Sequence, residues 1–251
     1  MAPLDYVALR LVRHYLPDRV VRGLLRRGLI IRAGIETSAP AAAIRRFMDA
    51  IEAAGEGVAG RRILIFGYGG RFEVATQLLS AGASHVVLVD PYAPPIQSPT
   101  TAALTIVHAP LREYISANGE LVDIVLSNSV IEHVEDVASA VADLAGVTAP
   151  GGHHFHFIDL RDHLFKYPFE MLCYAETTWR KFLNPGSNLN RLRVWDYERL
   201  FSAAFPRVSI EVRYSDLPAF RAARARIRPE FLSGDEQRDA VTQILLRASR
   251  V

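Results

Sequence analysis

The chain has 251 residues, half of them apolar, and a formal net charge of +2. This length allows one large domain with a full core and a small appendage, and the charge is too small to indicate nucleic-acid binding. The single cysteine, Cys173, excludes an intrachain disulfide. No apolar stretch is long enough to span a membrane, and the N-terminus lacks a signal-peptide pattern. We therefore expect a cytoplasmic protein without stable membrane insertion.

Residues 1–38 are predicted to form a basic N-terminal helical arm. Apolar residues recur there at helical spacing, as in Leu9, Val12 and Leu16. Packing of this arm on the domain or on a second subunit is favoured over a membrane-surface helix. The arm therefore allows a homodimer formed through the N-terminal helices. A further amphipathic helix is predicted at residues 40–56.

Residues 39–251 are predicted to form one α/β domain. Short apolar runs alternate with helical patterns, which is typical of a parallel, doubly wound sheet. Residues 160–200 are aromatic and arginine-rich, and are predicted to form a substrate cap inserted after the fifth strand. Two later strands are expected to form a terminal antiparallel pair at the sheet edge. The predicted strands are 62–66, 85–89, 104–107, 123–127, 154–158, 208–213 and 241–247.

A glycine-rich turn follows the first strand at residues 67–70. Such a turn, beside the positive end of a helix, lets a ligand approach the backbone. Asp90 ends the second strand 23 residues after Gly67, where an acid commonly holds ribose hydroxyls. The pyrophosphate fingerprint needs a third glycine where this chain has Phe72. A ligand with ribose and no pyrophosphate, S-adenosylmethionine, therefore fits better than a dinucleotide.

Five segments resemble motifs of class I S-adenosylmethionine-dependent methyltransferases, in the family's order. They are "RRILIFGYGG", "VVLVDPY", "VDIVLSNSVIEHVEDV", "APGGHHFHFIDL" and "DYERLFSAAFPRVSIEV". The resemblance implies a Rossmann-like doubly wound seven-stranded sheet with the last strand antiparallel. It also implies methyl transfer from S-adenosylmethionine to a small-molecule acceptor, with a hydroxyl oxygen of a natural product or sugar as the expected target. Two alternatives remain: an NAD(P)-dependent oxidoreductase, and a catalytically inactive methyltransferase-like binding protein.

Positions within these motifs imply which residues contact the cofactor. They are Gly67, Tyr68, Gly69, Asp90, Pro91, His108, Ser127 and Asn128. The family often has an acid two residues before the first glycine, where this chain has Ile65. One contact to the methionine amino group is therefore expected from a backbone carbonyl instead.

Methyl transfer requires alignment of donor and acceptor, and usually removal of a proton from the acceptor. A base is therefore sought just beyond the fifth strand. His163 is the predicted base, because imidazole titrates near neutral pH, and Asp159 is its predicted orienting partner or a contact to acceptor hydroxyls. The alternative is that Asp159 and Asp162 cap a helix and that His163 lies on the surface. His154 and His156 share one strand face, and strand-end packing is favoured for them over metal ligation, because no third ligand is obvious.

The cap also carries cations that could clamp a carboxylate or phosphate, although packing explains most of the cap residues. These cations are Arg180, Lys181, Arg191 and Arg193.

No metal is expected from the sequence. In ubiquinone-pathway O-methyltransferases a similar stretch, Glu-x-x-Glu-His, is associated with a metal. Here Ser129 stands at the first acid, which leaves only Glu132 and His133. Activity is therefore expected to survive chelation.

Overall fold

The computed structural model describes residues 3–16, 20, 40–93, 101–164 and 166–250. Its strands are β1 (Arg62–Phe66), β2 (His85–Val89), β3 (Leu104–Val107), β4 (Val122–Asn128), β5 (Thr148–Asp159), β6 (Arg207–Ser215) and β7 (Val241–Ser249). They form one seven-stranded sheet in the order β3-β2-β1-β4-β5-β7-β6. Strand β7 pairs antiparallel with both β5 and β6, whereas the pairings among β1 to β5 are all parallel. The sheet is the mixed, Rossmann-like sheet that the motifs imply.

Helices cover both faces of this sheet. The longer ones are α1 (Leu4–Tyr15), α2 (Pro40–Ala53), α3 (Glu73–Ser80), α4 (Leu111–Ser116), α5 (Val137–Val147), α6 (Val194–Ser202) and α7 (Leu217–Ala223). Short helical turns lie at Ile131–His133, Glu170–Cys173, Glu176–Thr178, Trp179–Leu183, Pro229–Phe231 and Glu236–Asp239.

The central strands are continuous apolar runs because both of their faces are buried. Along β1, Ile63 and Ile65 pack with α2 and α3 on one face, whereas Leu64 packs with α4 and α5 on the other. A separate cluster joins β5 and β7 to α5 and α6. These clusters fix the carboxyl ends of β1, β2 and β4 at one edge of the sheet, where the glycine turn and Asp90 lie.

Strand β5 starts six residues earlier than the prediction of 154–158, at Thr148. Thr148 pairs with Val122, and the register then shifts before Ile124 pairs with His153. The irregularity accommodates Gly151, which has φ of +73°. A proline–glycine segment that reads as a turn is therefore absorbed into the strand as a bulge.

The predicted terminal antiparallel pair is confirmed, with one refinement. Strand β7 does not lie outside β6 but between β5 and β6, and it pairs with both. The last strand in sequence therefore joins the edge strand to the rest of the sheet.

The described part of the N-terminal arm is α1, and it buries a polar face. Leu9 and Val12 of the predicted apolar face are 43% and 55% exposed, whereas Tyr6 and Arg10 are fully buried. Both buried side chains reach Asp162: the Tyr6 hydroxyl donates to it at 2.6 Å, and the Arg10 guanidinium forms an ion pair with it. Helix orientation is thus set by a buried charge. The rest of the arm and the predicted homodimer contact lie outside the described residues, apart from position 20.

The predicted cap follows β5 and packs against α7 through its own apolar cluster. Its arginines have structural partners. Arg193 is fully buried and donates to the carbonyls of Leu160, Asp239 and Val241 at 2.8–3.2 Å. Arg191 donates to backbone carbonyls and pairs with Glu176. Neither residue is placed as a clamp for the acceptor, which confirms packing as the explanation for both.

His154 and His156 pack in the interior, as predicted, but lie within β5 and not at a strand end, and both are fully buried in a hydrogen-bonded row. His156 Nδ1 lies 2.8 Å from the Ser127 hydroxyl, and His156 Nε2 lies 3.1 Å from His154 Nδ1. At the other end of the row, His154 Nε2 lies 2.8 Å from the Thr148 hydroxyl. Burial lowers the pKa of His156 to about 3 and lowers that of His154 well below its ordinary value. Both imidazoles are therefore neutral in the folded protein.

Because of these two histidines, we expect the folded protein to lose stability in acid. Their pKa is lowered on folding, so their contribution to stability is present above about pH 6.5 and is lost as the pH falls and the unfolded chain takes up protons. Urea unfolding should show a loss of about 3 kcal/mol for the pair between pH 7.5 and 5.5. The double variant His154→Gln/His156→Gln should have a pH dependence that is smaller by this amount. An equal slope in both proteins would contradict the assignment.

Candidate active site

The glycine turn after β1 has backbone conformations that only glycine adopts easily. Gly67 and Gly69 have φ of +79° and +65°. A Cβ at Gly67 would lie 2.3 Å from the Val130 side chain, so the turn after β4 packs directly against the turn after β1. The bare backbone that the sequence shows at this position is therefore required both by conformation and by close approach.

Asp90 faces this turn from the end of β2. Its carboxylate accepts hydrogen bonds from Gly69 N at 3.0 Å and from Tyr92 N at 2.8 Å, and the residue is 9% exposed. Each oxygen keeps accepting capacity beyond these bonds. The carboxylate is thus oriented by the backbone and can still accept hydrogen bonds from ribose hydroxyls. This arrangement fits the nucleoside part of S-adenosylmethionine.

Two buried polar groups near this turn lack partners among the described residues. The Tyr68 hydroxyl has none, and burial together with the Asp90 charge raises the pKa of this phenol. Asn128 accepts from Arg46 at 2.8 Å through its carbonyl oxygen, but its amide nitrogen has no partner. Leaving buried polar atoms unsatisfied costs free energy. Polar atoms of a bound cofactor would offset that cost.

The other three residues predicted to contact the cofactor have different surroundings. Ser127 is fully buried with its hydroxyl on His156, because consecutive strand residues point to opposite faces and Asn128 takes the other one. Pro91 and His108 are exposed. The His108 ring lies 6.3 Å from the ring of Tyr68, so it borders the turn.

The predicted base His163 lies beside His133 and Glu132, two residues that the sequence did not group with it. His163 lies with its ring centre 4.9 Å from that of His133, on the turn that follows β4. Glu132 completes a cluster in which the potential ligand atoms of all three residues lie within 4.8 Å of one another. Glu132 also accepts from the backbone N–H of Asp159 at 3.3 Å.

Asp159 forms an ion pair with Arg161 at 2.6 Å and accepts from Gln243 at 3.4 Å. Asp162, the alternative cap residue, accepts from the backbone N–H of Leu164 at 2.7 Å and also binds Tyr6 and Arg10. The side chains of Asp162 and Arg10 are both fully buried. The region around His163 is therefore built from buried, partnered charges and is not an open surface.

The pKa of His163 differs from the ordinary imidazole value expected from the sequence. Burial and the neighbouring His133 lower the pKa of His163 to about 3. Burial also lowers the pKa of His133. Both rings are therefore neutral at working pH, and a rate limb near pH 6.5 is not expected from His163.

Sequence reasoning missed the grouping of Glu132 and His133 with His163. The pair was counted as an incomplete motif because Ser129 occupies the position of the missing acid. The third group comes from a segment 30 residues further along the chain than His133. The available signal was topological: β4 and β5 are adjacent and parallel, so the residues that follow them meet at one edge.

Comparison with known proteins gives the family of this fold and site. Residues 66–156 match the family model of a methyltransferase domain. This segment is therefore a methyltransferase domain, and the sheet that contains it has the fold of class I S-adenosylmethionine-dependent methyltransferases. S-adenosylmethionine is therefore its cofactor, as the glycine turn and Asp90 predict. The oxidoreductase alternative finds no support in this match. Among curated protein sequences, none matches the chain significantly.

Solved methyltransferase structures share the fold. One is the 1,6-didemethyltoxoflavin-N1-methyltransferase of Burkholderia thailandensis with bound S-adenosylhomocysteine, at 15% identity and TM-score 0.54, covering 100% of this chain and 91% of that one. Another is phosphoethanolamine N-methyltransferase 2 of Haemonchus contortus in complex with S-adenosyl-L-methionine, at 17% identity and TM-score 0.51, covering 82% and 52%. No described helix of the methyltransferase domain or of α1 is both long and apolar enough to cross a membrane.

Proposed function

We propose that the enzyme transfers the methyl group of S-adenosylmethionine to a hydroxyl oxygen of a small-molecule acceptor. The observation that carries the proposal is the polar cluster of Glu132, His133 and His163 beside the glycine turn. Val130 packs against Gly67, and the cluster begins two residues later. Groups that accept protons therefore stand next to the place where the cofactor is bound.

The proposed roles follow from this placement. Gly67, Gly69 and Asp90 hold the ribose and amino-acid parts of the cofactor, and Tyr68 and Asn128 offer further polar contacts. S-adenosylmethionine supplies an electrophilic methyl group on its sulfonium. His163 is neutral and is the proposed acceptor of the hydroxyl proton, while Asp159 is held by Arg161 to position acceptor hydroxyls.

A small acceptor is supported by how closed the site is. His133 and His163 are partly buried, and Glu132 is 3% exposed. The cap closes over them, since Asn188 and Asn190 of the cap bond to the turn at Ile131–His133. Residues 160–200 are thus proposed as the substrate cap of a methyltransferase domain spanning 39–251. A flat macromolecular surface would not reach side chains that are covered in this way.

The function is tested by supplying S-adenosylmethionine with panels of small hydroxyl, amine and carboxylate acceptors. The readouts are S-adenosylhomocysteine release and the mass of the product. We expect a product 14 mass units heavier, methylated on oxygen, from the hydroxyl panel. Turnover with amines only would overturn the choice of oxygen. Cofactor binding without turnover on any panel would favour the inactive binding protein.

Asp90→Ala provides the internal check on cofactor placement. A charge-assisted bond to a ribose hydroxyl is worth roughly 1.5–3 kcal/mol, or about tenfold to over a hundredfold in affinity. The variant should weaken binding of S-adenosylhomocysteine by that factor in calorimetry. Asp143→Ala, on the exposed side of α5 near Arg112, is the matched control and should bind normally. Equal affinity for both folded variants would remove Asp90 from the ribose site.

A further inference from the structure

We propose that Glu132, His133 and His163 form a binding site for one divalent transition-metal ion of the zinc type. Their potential ligand atoms lie within 4.8 Å of one another, a spacing at which one ion can contact all three after small side-chain movements. Metal binding itself is independent of the acceptor. What the ion does for catalysis rests on the proposed function.

The hydrogen bonds of His133 prepare it as a ligand. Its Nδ1 lies 2.8 Å from the carbonyl oxygen of Asn188 and 3.0 Å from that of Ser187. A carbonyl oxygen only accepts, so Nδ1 carries the hydrogen and Nε2 keeps its lone pair. Metal-binding histidines are typically oriented in this way, by donating the other ring N–H to a backbone carbonyl.

The turn that carries Glu132 and His133 is held rigidly by the cap. Asn188 Nδ2 donates to the carbonyl of His133 at 3.0 Å, and Asn190 Nδ2 donates to that of Ile131 at 2.8 Å. Asn190 N also donates to the carbonyl of Glu132 at 2.9 Å. This network fixes the backbone of two proposed ligands relative to the segment after β5, which carries the third.

The ligand types indicate which ion the site prefers. Two imidazoles and one carboxylate suit Zn²⁺ and similar ions, whereas Mg²⁺ prefers oxygen ligands and several waters. Three protein ligands leave a fourth position open, which is the arrangement of catalytic zinc sites. The expectation that no metal binds was based on two ligands, and His163 is the third that the fold adds.

An ion at this position would promote deprotonation of the acceptor hydroxyl, the step otherwise assigned to a general base. A hydroxyl bound to Zn²⁺ loses its proton at much lower pH than a free one, because the ion stabilises the oxyanion. The lone pair of His163 is then used for coordination and does not take the proton. The methyl group leaves the sulfonium of the cofactor for this oxygen, and the proton passes to solvent.

Metal binding is measured directly, with Co²⁺ and Zn²⁺ as probes of the purified chelator-treated protein in the presence of S-adenosylhomocysteine. We expect one Co²⁺ per chain with the visible absorption of a four- or five-coordinate site, displaced by Zn²⁺. His163→Gln and Glu132→Gln should weaken binding by about 10- to 100-fold or more, given that even outer partners of a ligand matter by that factor. His153→Ala, a histidine on β5 paired with Glu56, is the control and should bind normally.

The outcomes separate this proposal from the proposed function. Absence of stoichiometric Co²⁺ binding, or binding that is equal in His163→Gln and the wild type, would overturn the metal site. Turnover that persists in chelator and still depends on His163 would also overturn it and leave the base role. Tight metal binding without methyl transfer to any acceptor would keep the site and reject the function. Circular dichroism of each variant checks that it is folded.

Discussion

His163→Ala should lower kcat by about 10²–10⁴ while leaving the affinity for S-adenosylhomocysteine nearly unchanged. Loss of general-base catalysis has effects of this size, and loss of a metal ligand at the reacting oxygen should not be smaller. Cofactor affinity is spared because His163 lies with His133 and Glu132, whereas the ribose is assigned to Asp90. The measurement is single-turnover methyl transfer at saturating acceptor, with calorimetry for the cofactor.

His153→Ala is again the matched control for this variant. His153 lies within β5, ahead of the segment that carries His163, where it is partly exposed and its Nε2 lies 3.1 Å from a carboxylate oxygen of Glu56. Its removal should change kcat by less than a few fold. If His163→Ala reacts as fast as this control, His163 has no part in the chemistry. If it melts early and loses acceptor binding together with rate, its role is to fold the cap.

The sheet was predictable because its signals are local. Runs such as 63–66 and 86–89 are apolar throughout, and only strands covered on both faces need that pattern. Gly67 and Asp90 were predictable for a related reason, since each follows its strand directly. The side of the sheet that Ser127 faces was not predictable, because neighbouring strand residues face opposite sides and the pleat of β4 decides between Ser127 and Asn128.

The polar cluster was not predictable in the same way. Glu132 and His133 stand together in sequence, but His163 joins them only because β4 and β5 are neighbours and the cap folds back over their ends. The orientation of α1 depends on a contact of still longer range. Arginines in an amphipathic helix are normally solvated, and only the position of Asp162 shows that Arg10 is buried.

Arg10→Met should be among the most destabilising single changes in the described part of the chain. The side chains of Arg10 and Asp162 are both fully buried, and removing one partner of such a pair typically costs about 3–5 kcal/mol because the other charge stays buried. Burial already raises the pKa of Asp162, which shows how costly this carboxylate is to ionise. The free energy of unfolding from urea titration is the readout, with hydrogen exchange of α1 as a local measure.

Two further variants make the test specific. Arg221→Met removes an ion pair with Glu236 that is exposed on both sides, so it should leave the free energy of unfolding nearly unchanged. Arg10→Met/Asp162→Asn removes the orphaned charge and should recover much of the lost stability. An Arg10→Met variant as mild as Arg221→Met, or no recovery in the double variant, would show that the buried pair does not hold α1 on the cap.

The position of β7 has a consequence for the order in which the enzyme is made. Strand β6 contacts the sheet through β7, so it cannot be placed until residues 241–249 have left the ribosome. Until then β5 presents an open edge whose unpaired N–H and C=O groups can recruit other chains. Folding of the nascent chain must therefore wait for its most distant sequence contacts, a condition associated with slow folding and exposure to aggregation.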